Sequence, residues 1–173
     1  MASELEEKET RFAIIRYLVD KLEDVGKTKI QKIVYFLQEA FSVPLDYVYT
    51  MYYFGPYSEE LNNNLLDMKL QDYLDIEPVS DGYGYHVRLG NEVIGSILDA
   101  VKPYVRQLNE CLDKFGKFNP LELELLGTLY FVKHSEDKLT KDGIIKKVKI
   151  LKPKFDTSVI EDFYEKLEDL VRT

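Results

Sequence analysis

The 173-residue sequence predicts a mainly helical α+β fold, with a winged helix-turn-helix-like N-terminal part that carries a three-strand element, and a helical C-terminal lobe. Three observations predict it. Over residues 10–90 the patterned segments run helix, helix, strand, helix, hairpin. From residue 91 onward a helical apolar period dominates. No Gly/Ser-rich linker separates residues 1–90 from 91–173, so the two regions are expected to pack as one unit.

Each element has its own signal. Phe12, Ile15, Leu18, Leu22 and Val25 recur at helical spacing and place a first helix over about residues 4–24, broken by Gly26. A second helix, about Thr28 to Phe41, buries Ile30, Ile33, Val34, Leu37 and Phe41, and Pro44 ends it. Tyr47 to Phe54 is aromatic and β-branched, apolar on both faces, and reads as a buried strand. Gly55-Pro56 turns the chain, and Ser58 caps a third helix whose first-turn Glu59 and Glu60 suit the positive dipole end.

Asp81-Gly82 is a favoured type I′ hairpin pair. A two-residue turn there sets Leu74 opposite Leu89, Asp75 opposite Arg88, Ile76 opposite Val87 and Glu77 opposite His86, so apolar meets apolar and acid meets base.

In the C-terminal half Ile94, Ile97, Val101, Tyr104, Leu108, Cys111 and Phe115 form one long stripe, which Pro103 kinks or divides. Its length suggests more apolar surface than one lobe covers, hence a homodimer. Asn119-Pro120-Leu121-Glu122 is a helix start, a short helix follows around Lys141–Leu151, and Ser158 with Glu161 forms a capping box for the last helix.

Composition restricts function. The acidic N-terminus is unlike a secretory signal, and no apolar run nears the roughly 20 residues of a bilayer span, so a cytoplasmic protein without membrane partners is expected. The lone Cys111 permits no intramolecular disulfide and suits a reducing compartment. Of the net charge of −8, residues 1–90 hold −7, which disfavours a broad DNA footprint there.

Candidate chemistry is thin. Gly26-Lys27-Thr28 resembles the end of a phosphate-binding loop, but Lys21 stands where that motif needs glycine. Lys27, Lys29 and Lys32 crowd the opening of the second helix, where cations are unfavourable, and an acidic partner or anion docking there would relieve this; otherwise they are solvated lysines balanced by Glu23 and Asp24. His86 and His134 are far apart, with no metal-ligand spacing around them, and Cys111 sits on an apolar stripe. No catalytic residue, cofactor or metal site is expected, and the protein reads as a binder, not an enzyme.

Two features address nucleic acid. Lys141, Lys146, Lys147, Lys149, Lys152 and Lys154 form the one dense basic run, read either as a solvated helix face or as phosphate contacts. The third helix would occupy the major groove, and its Asn62, Asn63 and Asn64 suit adenine edges, yet Glu59, Glu60 and Asp67 oppose phosphate and only Lys69 attracts it. DNA binding is therefore the alternative reading, with Lys69, Lys146, Lys147 and Lys149 as its contact candidates.

Lys29-Ile30-Gln31-Lys32-Ile33-Val34-Tyr35-Phe36, followed about twenty residues later by Tyr53-Phe54-Gly55-Pro56-Tyr57-Ser58, resembles the Panacea antitoxin-domain (SocA-like) family, and within it the YwgA-like branch. The likeness covers about residues 10–90; beyond them it rests on helix order and on Lys152-Pro153. It implies a prokaryotic or phage-associated cytosolic protein that neutralises a toxin by direct contact, or delivers it to a protease. The YwgA-like branch is less firmly tied to that activity. On this reading Gln31, Tyr35, Phe54, Gly55 and Pro56 are the structural motif, Tyr35 and Phe54 packing beneath the turn. Lys29, Lys32, Tyr53 and Tyr57 are the exposed contacts to a protein partner.

Overall fold

A computed structural model describes residues 3–23, 25–93 and 95–172. It is mainly helical, with a small antiparallel sheet. Helix α1 (Glu4–Leu22) starts at a Ser3–Glu6 capping box and buries Phe12, Ile15 and Leu18. Val25 does not continue it, because Val25–Gly26 forms a two-residue strand, β1, too short to leave a periodic signal. Helix α2 (Lys27–Glu39) follows directly, with every residue from Ile30 to Leu37 buried.

The segment expected as one strand over 47–54 is a hairpin, for two physical reasons. Residues 43–49 run outside any ladder; the Gln38 amide, bonded at 2.8 Å to both the N–H and the C=O of Tyr47, pins them instead. Gly55 then takes φ +88°, a left-handed conformation that glycine adopts without Cβ strain, and reverses the chain. Strand β2 (Thr50–Tyr52) thereby pairs with β3 (Gly55–Tyr57).

Ser58 Oγ accepts from Leu61 N at 3.2 Å and caps α3 (Glu59–Leu70), which buries Leu61, Leu65 and Met68. Strands β4 (Leu74–Pro78) and β5 (Tyr85–Leu89) pair in the register expected from their side chains, Leu74 to Leu89 through Glu77 to His86. Their turn differs: neither Asp81 nor Gly82 has positive φ, as type I′ requires, and Gly84 at φ +112° does the turning. Val79 N donates to Gly84 O at 3.0 Å, so the closing loop is longer than two residues while the register is kept. The sheet order is β1–β5–β4.

The long C-terminal stripe is divided at Pro103, within a 3₁₀ turn (Lys102–Tyr104) between α4 (Gly95–Ala100) and α5 (Val105–Phe115). Leu108, Cys111 and Phe115 are buried, Phe115 stacking on Phe36 of α2 at 4.0 Å. Ile94 and the Ile97 side chain lie outside the described residues. Helix α6 (Pro120–Ser135) has the expected start, with Asn119 and Glu122 exchanging hydrogen bonds of 3.0 and 2.8 Å. It is buried from Leu123 to Tyr130 because α2 and β3 cover one side and α7 (Lys141–Leu151) and α8 (Thr157–Val171) another. Ser158 does not cap α8. Lys149 Nζ ties the preceding loop through Pro153 O and Phe155 O, and the helix starts earlier, at Thr157, with Asp156 before it.

Candidate functional site

The two halves of the motif meet through side chains of α2. Gln31 mimics a strand neighbour: its Nε2 donates to Ser58 O at 2.8 Å and its Oε1 accepts from Ser58 N at 2.9 Å. One turn position on, Lys32 Nζ donates to Pro56 O at 2.7 Å from full burial. Desolvation pushes the Lys32 ammonium down to about 7, against the pull of the Glu124 carboxylate; Lys152 adds to the lowering. Lys32 is therefore not an exposed contact, as the sequence suggested. The Pro56 carbonyl lies at the foot of the turn and needs a buried donor.

Helix α6 clamps this turn from behind. A Cβ on Gly55 would lie 3.1 Å from Glu124 O, and one on Gly127 would lie 3.2 Å from Pro56 Cδ, so both glycines allow close approach. Tyr35 is buried as expected, edge-on to Tyr49 at 4.9 Å and to Tyr130 at 6.0 Å. Phe54 is not beneath the turn; it is 58% exposed at its tip, because β2 and β3 point the two tip residues outward.

Behind the turn lies a buried ion cluster missed in the sequence. Glu124 on α6 is fully buried, with Oε2 2.9 Å from Lys154 Nζ and Oε1 3.1 Å from Lys152 Nζ. The second pair is Coulombic, off the hydrogen-bond direction, since Lys152 aims its N–H groups at the carbonyls of Tyr52 and Tyr53. In the sequence Lys152 belonged only to the basic run and to the Lys152-Pro153 pair of the resemblance, and nothing in the spacing paired it with Glu124.

The basic run is thus largely committed inside the chain. Lys147 pairs with Glu136 and Lys141 with Glu165, Lys149 binds two carbonyls, and Lys146 stays exposed, as does Lys69. On α3, Asn64 is buried and accepts from Tyr47 Oη at 2.7 Å, so it presents no amide outward. The solvent face of α3 carries Glu59, Glu60, Asn63, Leu66, Lys69 and Leu70. Glu60 pairs with Arg11 and Asp67 with Lys8.

What the turn does present is aromatic surface. Tyr53 is 78% exposed, Tyr52 stacks on half-buried Tyr57 at 5.4 Å, and Tyr83 at the β4–β5 tip stands fully in solvent. Between these two loops runs a cleft of about 580 Å³. Tyr52, Phe54 and Tyr57 form one bank, and Tyr83 and Tyr85 the other. Its floor is the start of α2: Gly26, whose position before the helix offers no side-chain cap, then Lys27, Thr28, Gln31 and Lys32. Lys27 Nζ sits 4.4 Å from the Tyr85 ring centre. Burial lowers its pKa, and repulsion from Lys69 lowers it further. Lys29 turns away and donates to Gly116 O. Of the predicted contacts, Tyr57 lines this cleft and Tyr53 stands exposed at the tip of the turn, while Lys29 and Lys32 are spent on backbone carbonyls.

The Cys111 thiol is buried and its pKa is raised by desolvation, which disfavours the nucleophilic thiolate. His134 stacks on Tyr130 with Nδ1 2.9 Å from Tyr130 O, and His86 lies on β5. Among the described residues no His/Cys/Asp/Glu group is placed to hold a metal ion, and no helix is long and apolar enough to cross a membrane.

No family model matches the chain. It is similar to the uncharacterized protein YwgA of Bacillus subtilis (strain 168), with 23% identity over 132 residues, covering 76% of this chain and 79% of that protein.

Proposed function

We propose that the chain is a non-enzymatic protein-binding module with an antitoxin-like or adaptor role, of the Panacea (SocA-like) kind, in a toxin–antitoxin or phage-associated setting. Its partner would be a toxin or a protease met in the cytoplasm. The observation that carries this reading is the exposed aromatic surface of Tyr52, Tyr53 and Phe54 on a turn braced by Lys32 and Lys152, with Tyr83 on the neighbouring loop. Large aromatic side chains held rigidly in water resemble the anchors of protein interfaces. Bracing matters because a preordered turn loses little entropy on binding.

The test is co-expression with neighbouring open reading frames. A toxic frame should be neutralised by this chain and should co-purify with it in stoichiometric amount. Tyr53→Ser together with Phe54→Ser should abolish both while leaving the unfolding free energy within about 0.5 kcal/mol of the parent, as surface changes do. If no frame is neutralised and no protein co-purifies, the reading fails.

A winged-helix DNA-binding regulator is the second reading. The strand order β1–β5–β4, with β1 between α1 and α2, favours it, since a winged helix has that order; on this reading α3 would be the recognition helix. Against it stand Glu59 and Glu60 on the outer face of α3 and the internal pairing of the C-terminal lysines. A low-salt mobility shift on the chain's own promoter, abolished by Lys69→Glu, would favour DNA; no retardation would dismiss it.

A further inference from the structure

The cleft between the two aromatic loops presents one lysine, Lys27, in a chain of net charge −8. Among the described residues no Asp or Glu lines it, while Lys27 and the buried Lys32 do. Lys27 has no carboxylate partner among the described residues; its close neighbours are the Tyr85 ring and another cation, Lys69. Meanwhile Lys8, Arg11, Lys141 and Lys147 are each paired with an acid elsewhere on the surface. A half-buried lysine with no carboxylate partner among the described residues is complementary to a negative group that comes from outside.

We propose that this cleft receives an acidic, extended segment of the partner protein, one carboxylate lodging beside Lys27 and a flanking apolar side chain lying among Tyr52, Tyr57 and Tyr85. The proposal rests on the protein-binding reading above and names the chemistry of the partner. The volume of about 580 Å³ fits it, since sites of roughly 300–1,000 Å³ enclose a few side chains and not a folded surface. Aromatic walls take the apolar part, and the lysine sets the sign of the charge. Single-stranded nucleic acid also stacks on tyrosines, but it gains affinity by neutralising several phosphates. With Lys27 the lysine there that no backbone carbonyl takes up, and a net charge of −8, the protein segment is favoured.

The experiment is an NMR titration of the full chain, labelled with nitrogen-15. The probes are an acetylated, amidated tetrapeptide of alternating aspartate and phenylalanine, its asparagine analogue, and an oligothymidylate. The acidic peptide should shift the amides of residues 26–28, 52–57 and 83–86. The asparagine analogue should bind about tenfold more weakly, the worth of one charge-assisted contact. Lys27→Glu should weaken the acidic peptide at least as much, and Lys146→Glu should leave it unchanged. Should Lys27→Glu disturb the fold, Lys27→Gln and the salt dependence of the parent make the same comparison, with affinity expected to fall as salt rises. Equal affinity for the two peptides, no shift at millimolar peptide, or stronger oligothymidylate binding at the same amides would overturn the proposal. If neutralisation still depends on Tyr53 and Phe54 but not on Lys27, the protein-binding reading stands and this inference alone falls.

Discussion

Replacing Glu124 by Gln removes one negative charge from beneath the aromatic turn and changes almost nothing in volume. Two lysines lose their counter-ion. Lys154, half exposed at 2.9 Å, contributes at most about 1 kcal/mol, because solvent screens such pairs. Lys152 is buried at 3.1 Å, and breaking a buried pair from one side costs about 3–5 kcal/mol. Lys152 keeps the carbonyls of Tyr52 and Tyr53 as acceptors, which places the loss near the lower bound. The expected destabilisation is therefore about 3 kcal/mol, or a fall in Tm of about 6–12 °C for a chain of this size. Urea unfolding of the parent, Glu124→Gln, Lys152→Met and the double variant measures it, provided the slope with denaturant stays constant. The double variant should recover part of the loss, because removing both charges leaves neither unpaired. A loss below about 1 kcal/mol, or strictly additive single losses, would refute the claim that this pair holds the turn.

Two further perturbations probe the same brace. Lys32 is held at about 7, whereas an exposed lysine titrates at 10.5, so between those values the unfolded chain binds a proton that the folded chain does not. Stability from this group therefore rises with pH above about 7, by up to about 1.4 kcal/mol per pH unit, and its burial penalty is complete below that. From pH 6 to pH 9 the parent should gain stability relative to Lys32→Met; a pH-independent difference would count against a lysine that is neutral when buried. Gly55→Ala should cost about 1–3 kcal/mol, since alanine at φ +88° is strained and its Cβ would meet Glu124 O at 3.1 Å. An unchanged unfolding midpoint would show that the turn relaxes freely.

Much of the scaffold was legible because its signals are local. Register at β4–β5 follows from four cross-strand pairs, and it survived although the turn chemistry expected of Asp81-Gly82 is absent. Caps at Ser58 and Asn119 were readable for the same reason. Strand β1 was not, because two residues carry no period and its partner β5 lies about sixty residues away. The site shows the same division. Gln31, Tyr35, Gly55 and Pro56 were legible as structural residues. Lys32 was misjudged because a lysine on a helix is ordinarily solvated, and only the tertiary position of Pro56 O gives it a buried acceptor. The Glu124–Lys152 pair joins a residue of α6 to one nearly thirty residues on, just past the end of α7, and the cleft joins Lys27 to Tyr57 and Tyr83; no spacing rule links them.

The account turns on which surface meets the partner, and site-specific photo-crosslinking in the source cell measures that directly. A photoreactive amino acid would be placed in turn at position 53, at position 83 and at position 63 on the outer face of α3. Positions 53 and 83 should each yield the same discrete protein adduct, with position 63 yielding none and no position yielding DNA. A DNA adduct at position 63, with positions 53 and 83 silent, would contradict the account.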